Sequence, residues 1–329
     1  MAKVIVSGIQ SIIEEWQGRK GYMDIGIAHS GTMDHYSARF ANLLVGNDLN
    51  EALIEITGAN FVMEFEEESV IAVTGADSNP KINGAEIALW QTHSVQKKDR
   101  LDIGRIGAQI NGFRQYLAVA GGVNSDEYLG SKSTAIYGGF GGVEGRSLKR
   151  GDNLTFGKPS KPLDDLIKRR IKKHLIPLYG QKWQMRAIPG PNGAPDFFTE
   201  EGMELFFSAT YKAQLICDRS GIRLDGPKPI FNAERAAAGG HPSNITDHGY
   251  PGPGCLNISG DTPIILPREG PTSGGYVCAL SIIYVDQWMM GQIVPGRDEV
   301  EFIYCTLDEA VELRKRQNAV FVEGSIESA

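Results

Sequence analysis

Apolar and polar positions alternate along most of this chain with the two-residue period of strands, in short runs broken by Gly, Pro, Asn and Asp. Residues 4–13 alternate as one strand with Gly8 inside it, the mark of a bulge or a close approach. Short strands are predicted at 52–57, 61–65 and 69–74, and a hairpin at 81–87 around Asn83-Gly84, two residues that accept the positive φ of a tight turn. A buried strand at 115–120 is closed by Gly121-Gly122. The C-terminal half predicts strands at 184–188, 219–224, 255–259, 262–266 and 276–284.

Helical spacing appears in three places. Residues 36–45 place Phe40, Leu43 and Leu44 on one side, with Asp34 positioned to cap the free amides and Gly46-Asn47 to end the helix. Residues 199–207 start at a Thr199 cap. Residues 306–320 open with a capping box, Thr306 and Glu309, and predict burial of Leu307, Ala310, Val311 and Leu313. The class is therefore mainly β with a few helices. A polar turn entering an alternating strand recurs at 98–104, 151–157 and 296–302, which points to two similar β-units. The charged stretch 159–177 reads as a linker, giving a first domain at 1–158 and a second at 178–329 with a frayed tail.

Forty glycines in 329 residues reinforce the turn-rich β reading. A net charge of −7, with one basic run at 168–173, argues against a nucleic-acid partner. No apolar run approaches the ~20 residues of a membrane span and no basic-then-apolar leader opens the chain, so a cytoplasmic protein is expected. The four cysteines are widely spaced, fit no zinc pattern, and read as small apolar residues.

The densest chemistry lies at 239–276, where glycines and prolines separate His241, Asn244, Asp247, His248 and Asp261. A second loaded turn runs from His29 through Ser30 and Gly31 to Asp34. Rigid turns that present such groups suit orientation of a small polar substrate or proton transfer, with Arg114 a further candidate for an anion or a structural ion pair. Ordinary solvated loops are the alternative. No phosphate-binding loop, dinucleotide fingerprint, zinc-protease motif or nucleophile elbow is present, and the His241, Asp247 and His248 spacing matches no metal signature.

Several blocks in order, GYMDIGIAHSGTMDHYSARFANLLVGN, ALIEIT, VIAVTGAD, INGAEI, FRQYLAVAGGV, YLGSKST and GRSLKRGDNLTFG, resemble the biotin-dependent carboxyltransferase family, also labelled allophanate hydrolase subunit 2. That family includes the third subunit of bacterial 5-oxoprolinase. The segment HPSNITDHGYPGPGCLNISGDTPIILPREGPTSGGYVC looks most like the carboxyltransferase region of urea carboxylase. The resemblance implies tandem cyclophilin-like β-barrel units and a sister subunit of the subunit 1 type. It also implies a separate biotin carboxylase, which uses ATP and bicarbonate, and a biotin carrier that delivers carboxybiotin. Carboxyl would pass to a nitrogen of a urea-like amide. On that resemblance Asp261, Asp247 and Asn244 are the catalytic candidates, and His241, Ser30, Gly31, Asp34, His29, Arg114, Gly274 and Gly275 the substrate or biotin contacts. Two other roles stay open: a subunit of an ATP-dependent 5-oxoprolinase, which opens a lactam, and a non-catalytic regulatory binding subunit.

Overall fold

A computed structural model describes residues 1–329 except 59, 105–110, 238–239 and 246–251. The chain divides into two units: Met1–Lys20, His29–Tyr179 and Asn318–Ala329 form the first, and Gly21–Ala28 with Gly180–Gln317 the second. Strands predominate, as the alternating texture predicts, and among the described residues no helix is long and apolar enough to cross a membrane.

The first unit contains strands Ala2–Ser7 (β1), Gln10–Glu14 (β2), Leu53–Thr57 (β3), Phe61–Phe65 (β4), Ser69–Gly75 (β5), Lys81–Ile82 (β6), Ala85–Glu86 (β7), Thr92–Val95 (β8), Arg100–Asp102 (β9), Arg114–Val119 (β10), Val123–Asn124 (β11) and Asn153–Phe156 (β12). They form a seven-stranded sheet, β11-β12-β1-β4-β9-β6-β7, and a five-stranded sheet, β2-β3-β10-β5-β8. One core draws on both sheets, with Val4, Phe61 and Met63 from the first and Ile54, Val73 and Leu117 from the second. The opposite face of the five-stranded sheet, carrying Tyr116, Ala118 and Ala72, packs on helix His35–Leu44 (α1) through Phe40, Ala41 and Leu44. This explains why β10 is buried at every position: alternate side chains serve two cores.

The stretch 4–13 is two strands rather than one. Gly8, at φ 69°, lets the chain leave the seven-stranded sheet at β1 and enter the five-stranded sheet at β2. The stretch 159–177 is not a linker. Leu166 and Ile171 are buried in the α1 core, and strand Arg169–Ile171 (β13) pairs with Ile326–Ser328 (β21). The tail is correspondingly ordered: Phe321 is buried, and Glu323 binds Lys161 at 2.8 Å and Arg169 at 3.0 Å. The first unit thus extends beyond residue 158 and takes back the last residues of the chain, while 21–28 belong to the second.

The second unit is a closed barrel of Lys182–Pro189 (β14), Thr210–Cys217 (β15), Ile222–Asp225 (β16), Cys255–Ser259 (β17), Thr262–Ile265 (β18), Cys278–Ile282 (β19) and Glu299–Tyr304 (β20), in the order β14-β19-β17-β18-β16-β15-β20. Parallel pairing of β14 with β20 closes it. Helix Glu200–Ser208 (α2) starts where the Thr199 hydroxyl accepts the Gly202 amide at 2.9 Å. A short helix, Ala233–Ala237 (α3), precedes the candidate turn, and Leu307–Asn318 (α4) begins with the predicted capping box, Glu309 accepting from the Thr306 amide at 2.8 Å. Burial on α4 departs from expectation. Leu307 is 65% and Val311 46% exposed, and only Ala310 and Leu313 rest on the barrel cluster. Strand β16 begins three residues later than expected, because Asp218 binds the Ser220 and Gly221 amides and folds 218–221 into a turn.

Candidate functional site

In the first unit the turn His29 to Asp34 is pressed into the protein. Ser30 is fully buried at φ 54°, and Gly31 follows at φ 88°. A side chain at Gly31 would meet the Gly18 amide nitrogen at 2.9 Å, so the two chain segments lie backbone to backbone. Two buried carboxylates hold the turn. Glu14 accepts the Gly31 amide at 2.8 Å, and Glu55 accepts the Met33 amide at 2.7 Å and the Tyr116 hydroxyl at 2.9 Å. Tyr116 in turn accepts the Asp34 amide at 2.7 Å; burial, with Glu55 and Asp34 nearby, pushes its phenol well above the ordinary range.

Asp34 caps α1, accepting the Tyr36 amide at 3.0 Å, the Ser37 amide at 2.9 Å and the Ser37 hydroxyl at 2.6 Å. Arg114 lies 3.4 Å from Glu55, side chains 5% and 0% exposed, so a buried carboxylate is one partner of this arginine. Arg19 is buried as well. It donates to the Tyr128 carbonyl at 2.8 Å and to the Ser133 carbonyl, with one nitrogen 3.5 Å from the Ser30 hydroxyl. His29 is half-buried, and its carbonyl accepts the Arg19 amide at 2.6 Å.

The second unit presents its groups differently. The chain turns at His241-Pro242-Ser243-Asn244, where the Asn244 amide donates to the His241 carbonyl at 3.0 Å. The hairpin between β17 and β18 turns at Gly260-Asp261, and the Gly260 amide donates to the Ser243 hydroxyl at 3.1 Å. These contacts bring His241 and Asp261 together, with His241 Nε2 3.5 Å from Asp261 Oδ1. Lys228 sits on the other carboxylate oxygen at 2.9 Å. Their side chains are 39%, 42% and 82% exposed respectively, so the cluster faces solvent. The Lys228 ammonium, with a smaller contribution from His241, holds the Asp261 carboxyl below the usual range, and Lys228 is raised in return. Asp261 is therefore an ionised acceptor at neutral pH.

Asn244 is exposed, its backbone bridges Tyr276, and its carbonyl accepts from Arg235 at 3.1 Å. Among the described residues its side-chain amide makes no hydrogen bond. Gly274 is exposed, and Gly275 at φ 144° accepts the Ile245 amide at 3.1 Å. Asp247 and His248 lie outside the described residues. Among the described residues no group of three or more His, Cys, Asp or Glu has metal-binding geometry. None of the four cysteines is in a disulfide; the neighbouring Cys255 and burial push the Cys278 thiol up.

Sequence reasoning singled out His241, Asn244 and Asp261, which the structure places on neighbouring turns, but not Lys228 or Ser243, which carry no local signal. Glu55 was also missed, although a glutamate inside the apolar run ALIEIT marks a buried carboxylate in need of partners.

Residues 25–304 match the family described as carboxyltransferase domain, subdomain A and B. The chain belongs to this carboxyltransferase family. Relatives of this carboxyltransferase-domain protein include the urea amidolyase of Saccharomyces cerevisiae, 36% identical over 321 residues that cover 96% of the chain and 17% of that protein. Another is a 5-oxoprolinase subunit of Escherichia coli, 33% identical over 324 residues, 98% of the chain and 96% of that protein. Among solved structures, the urea amidolyase of Kluyveromyces lactis superposes with a TM-score of 0.91 at 35% identity, covering 100% of the chain and 20% of that protein. The chain thus spans a small part of the urea amidolyases and nearly the full length of the bacterial protein.

Proposed function

We propose that this protein is the carboxyltransferase component of a biotin-dependent enzyme that carboxylates a nitrogen of a urea-like amide, working with a subunit-1-type sister, a biotin carboxylase and a biotin carrier. The observation that carries this reading is the charged turn cluster of the second unit, on a fold that superposes on a urea amidolyase with a TM-score of 0.91. The donor and acceptor set fits a ureido group. A urea-like amide and biotin both present N–H donors beside a carbonyl acceptor, and the cluster offers an ionised carboxylate beside cationic and imidazole N–H donors. Carboxybiotin on its separate carrier would supply the activated carboxyl.

In this reading Asp261 accepts a substrate N–H and fixes the direction of the nitrogen lone pair. Lys228 keeps that carboxylate ionised, so it acts as an orienting acceptor rather than as a strong base. His241 buttresses Asp261, and the exposed Asn244 amide adds a donor and an acceptor on the same turn. Asp247 is assigned alongside Asp261, and Gly274 and Gly275 as backbone contacts to the ligand. Within the first unit, the half-buried His29 is assigned substrate or biotin contact, whereas the buried Ser30 and Gly31 hold the turn and Asp34 serves chiefly as the helix cap.

A second reading rests on one observation: the 5-oxoprolinase subunit of Escherichia coli matches the chain over 96% of its own length. Under it the protein is a subunit of a lactam-opening enzyme and needs no biotin. Native affinity purification from the source cell separates the two. Recovery of a sister subunit with a biotinylated carrier, and carboxylation of urea or a related amide by the recovered complex, is the expected result. A sister without biotin, and turnover of 5-oxoproline, would replace the first reading with the second.

A further inference from the structure

We propose that Ser243 is a positioning residue: it fixes the His241 imidazole as the Nε2–H tautomer and locks the turn bearing Asp261 to the turn bearing His241. Its consequence for turnover rests on the carboxyl-transfer reading; the tautomer assignment does not.

Ser243 has no exposed surface, although His241 and Asn244 around it are exposed. Its backbone N–H points at His241 Nδ1 at 3.2 Å. A peptide N–H can face a ring nitrogen only where that nitrogen carries a lone pair, so the ring proton sits on Nε2. Nε2 is the nitrogen that faces Asp261.

The hydroxyl completes the arrangement. Ser243 Oγ lies 2.9 Å from the same Nδ1 and accepts the Gly260 amide at 3.1 Å. With that amide on an oxygen lone pair, the one hydroxyl proton is directed to Nδ1. Gly260 immediately precedes Asp261, so a single oxygen ties imidazole and carboxylate turns together. The Ser243 carbonyl meanwhile accepts the Val277 amide at 2.9 Å, anchoring the residue to the approach of β19. Among the described residues the groups around the ring are Asp261 and, on its far oxygen, Lys228, the Phe231 ring, nearly perpendicular with centroids 5.8 Å apart, and Arg235 of α3, held on the Asn244 carbonyl.

A buried serine between an exposed histidine and an exposed aspartate is easily taken for a nucleophile, since Ser, His and Asp occur in line. The burial excludes that role: Ser243 has no exposed surface, and its hydroxyl proton and one lone pair are engaged by His241 Nδ1 and the Gly260 amide.

The test uses the full chain with 15N-labelled histidine. Long-range proton–nitrogen correlation at neutral pH reads which ring nitrogen of His241 is protonated, with His241→Gln to assign the signal. The wild type is expected to show Nε2 protonated and Nδ1 bare. Ser243→Ala keeps the backbone N–H that faces Nδ1 but removes the hydroxyl donor, so the Nδ1 signal should move as that hydrogen bond is lost while Nε2 stays protonated, and Ser243→Thr, which keeps the hydroxyl, should restore the wild-type pattern. In the reconstituted enzyme, kcat of Ser243→Ala should fall about tenfold to a hundredfold with KM little changed, the scale of a reacting group displaced by up to ~1 Å. A wild type protonated on Nδ1, a Ser243→Ala spectrum with an unmoved Nδ1 signal, or an unchanged kcat would each overturn the proposal. A wild-type complex that transfers no carboxyl overturns the functional reading instead, and the spectra still decide the tautomer.

Discussion

The turn at 29–34 in the first unit resembles in composition the turns at 241–244 and 260–261 of the second taken together, both sets joining glycine to serine, histidine and aspartate. They differ in where their polar groups point. Around Ser30 the polar atoms turn inward: Glu14 and Glu55 accept backbone amides, Asp34 is taken up by the α1 cap, and Arg19 is bonded to carbonyls. Around Asp261 they turn outward, with Lys228, His241 and the carboxylate partly in water and Ser243 buried beneath them. A glycine-rich turn can therefore be a clamp or a display, and composition does not say which. Burial of the charged groups does, because a buried carboxylate needs every oxygen occupied whereas an exposed one can keep a direction free for a ligand.

The sharpest break in this comparison is at Glu55. Replacing it with Ala leaves Arg114 buried without its carboxylate and removes the acceptor of the Met33 amide, at a cost of about 3–5 kcal/mol in chemical denaturation. A loss below ~1 kcal/mol would show that the first turn is not held by this network.

Next come two glycines that should behave differently. Gly18 lies at φ 62°, and an added side chain would collide with the His29 and Ser30 carbonyls. Gly18→Ala should cost about 3 kcal/mol or more, from left-handed strain plus overpacking against rigid backbone. Gly260, at φ 61°, has nothing within 4 Å of that position, so Gly260→Ala should cost only the ~1–2 kcal/mol of strain. Equal losses would mean that the two turns are equally constrained.

The smallest effect on stability is expected from Lys228→Ala, which should barely move Tm because Lys228 is exposed. Its signature is in pH. Lys228 lowers the folded-state pKa of Asp261 below 3.8, so the pair's stabilisation is present above that value and is lost as pH falls through the folded pKa. Removing the lysine shifts Asp261 ionisation upward, and the acid limb of turnover should move to higher pH. An unmoved acid limb would detach Asp261 from the rate.

Much of the fold was legible because its signals are local. The Asn83-Gly84 hairpin, the Asp34 and Thr199 caps and the Thr306–Glu309 box are each set within a few residues and appear as predicted. Most of the failures are long-range, the Asp218 turn that delays β16 being a local exception. Nothing near Arg169 announces that it pairs with Ser328, and nothing near Gly8 says that the chain changes sheets there. Leu307 and Val311 lie at helical spacing for burial, yet both are exposed on α4. The candidate site divides in the same way: His241 and Asp261 stood out by residue type, whereas Lys228 and Ser243 gained meaning only when folding placed them against the carboxylate and the imidazole.

The most direct test of the outward-facing turn as the chemical half of the molecule is Asp261→Ala in the complex reconstituted with its sister subunit and carboxylated carrier, reading carboxyl transfer to urea beside the unfolding midpoint. The prediction is a loss of transfer of about a hundredfold or more, the scale of removing one preorganised group at a reacting centre, with the midpoint essentially unchanged. Full turnover in Asp261→Ala would contradict the account.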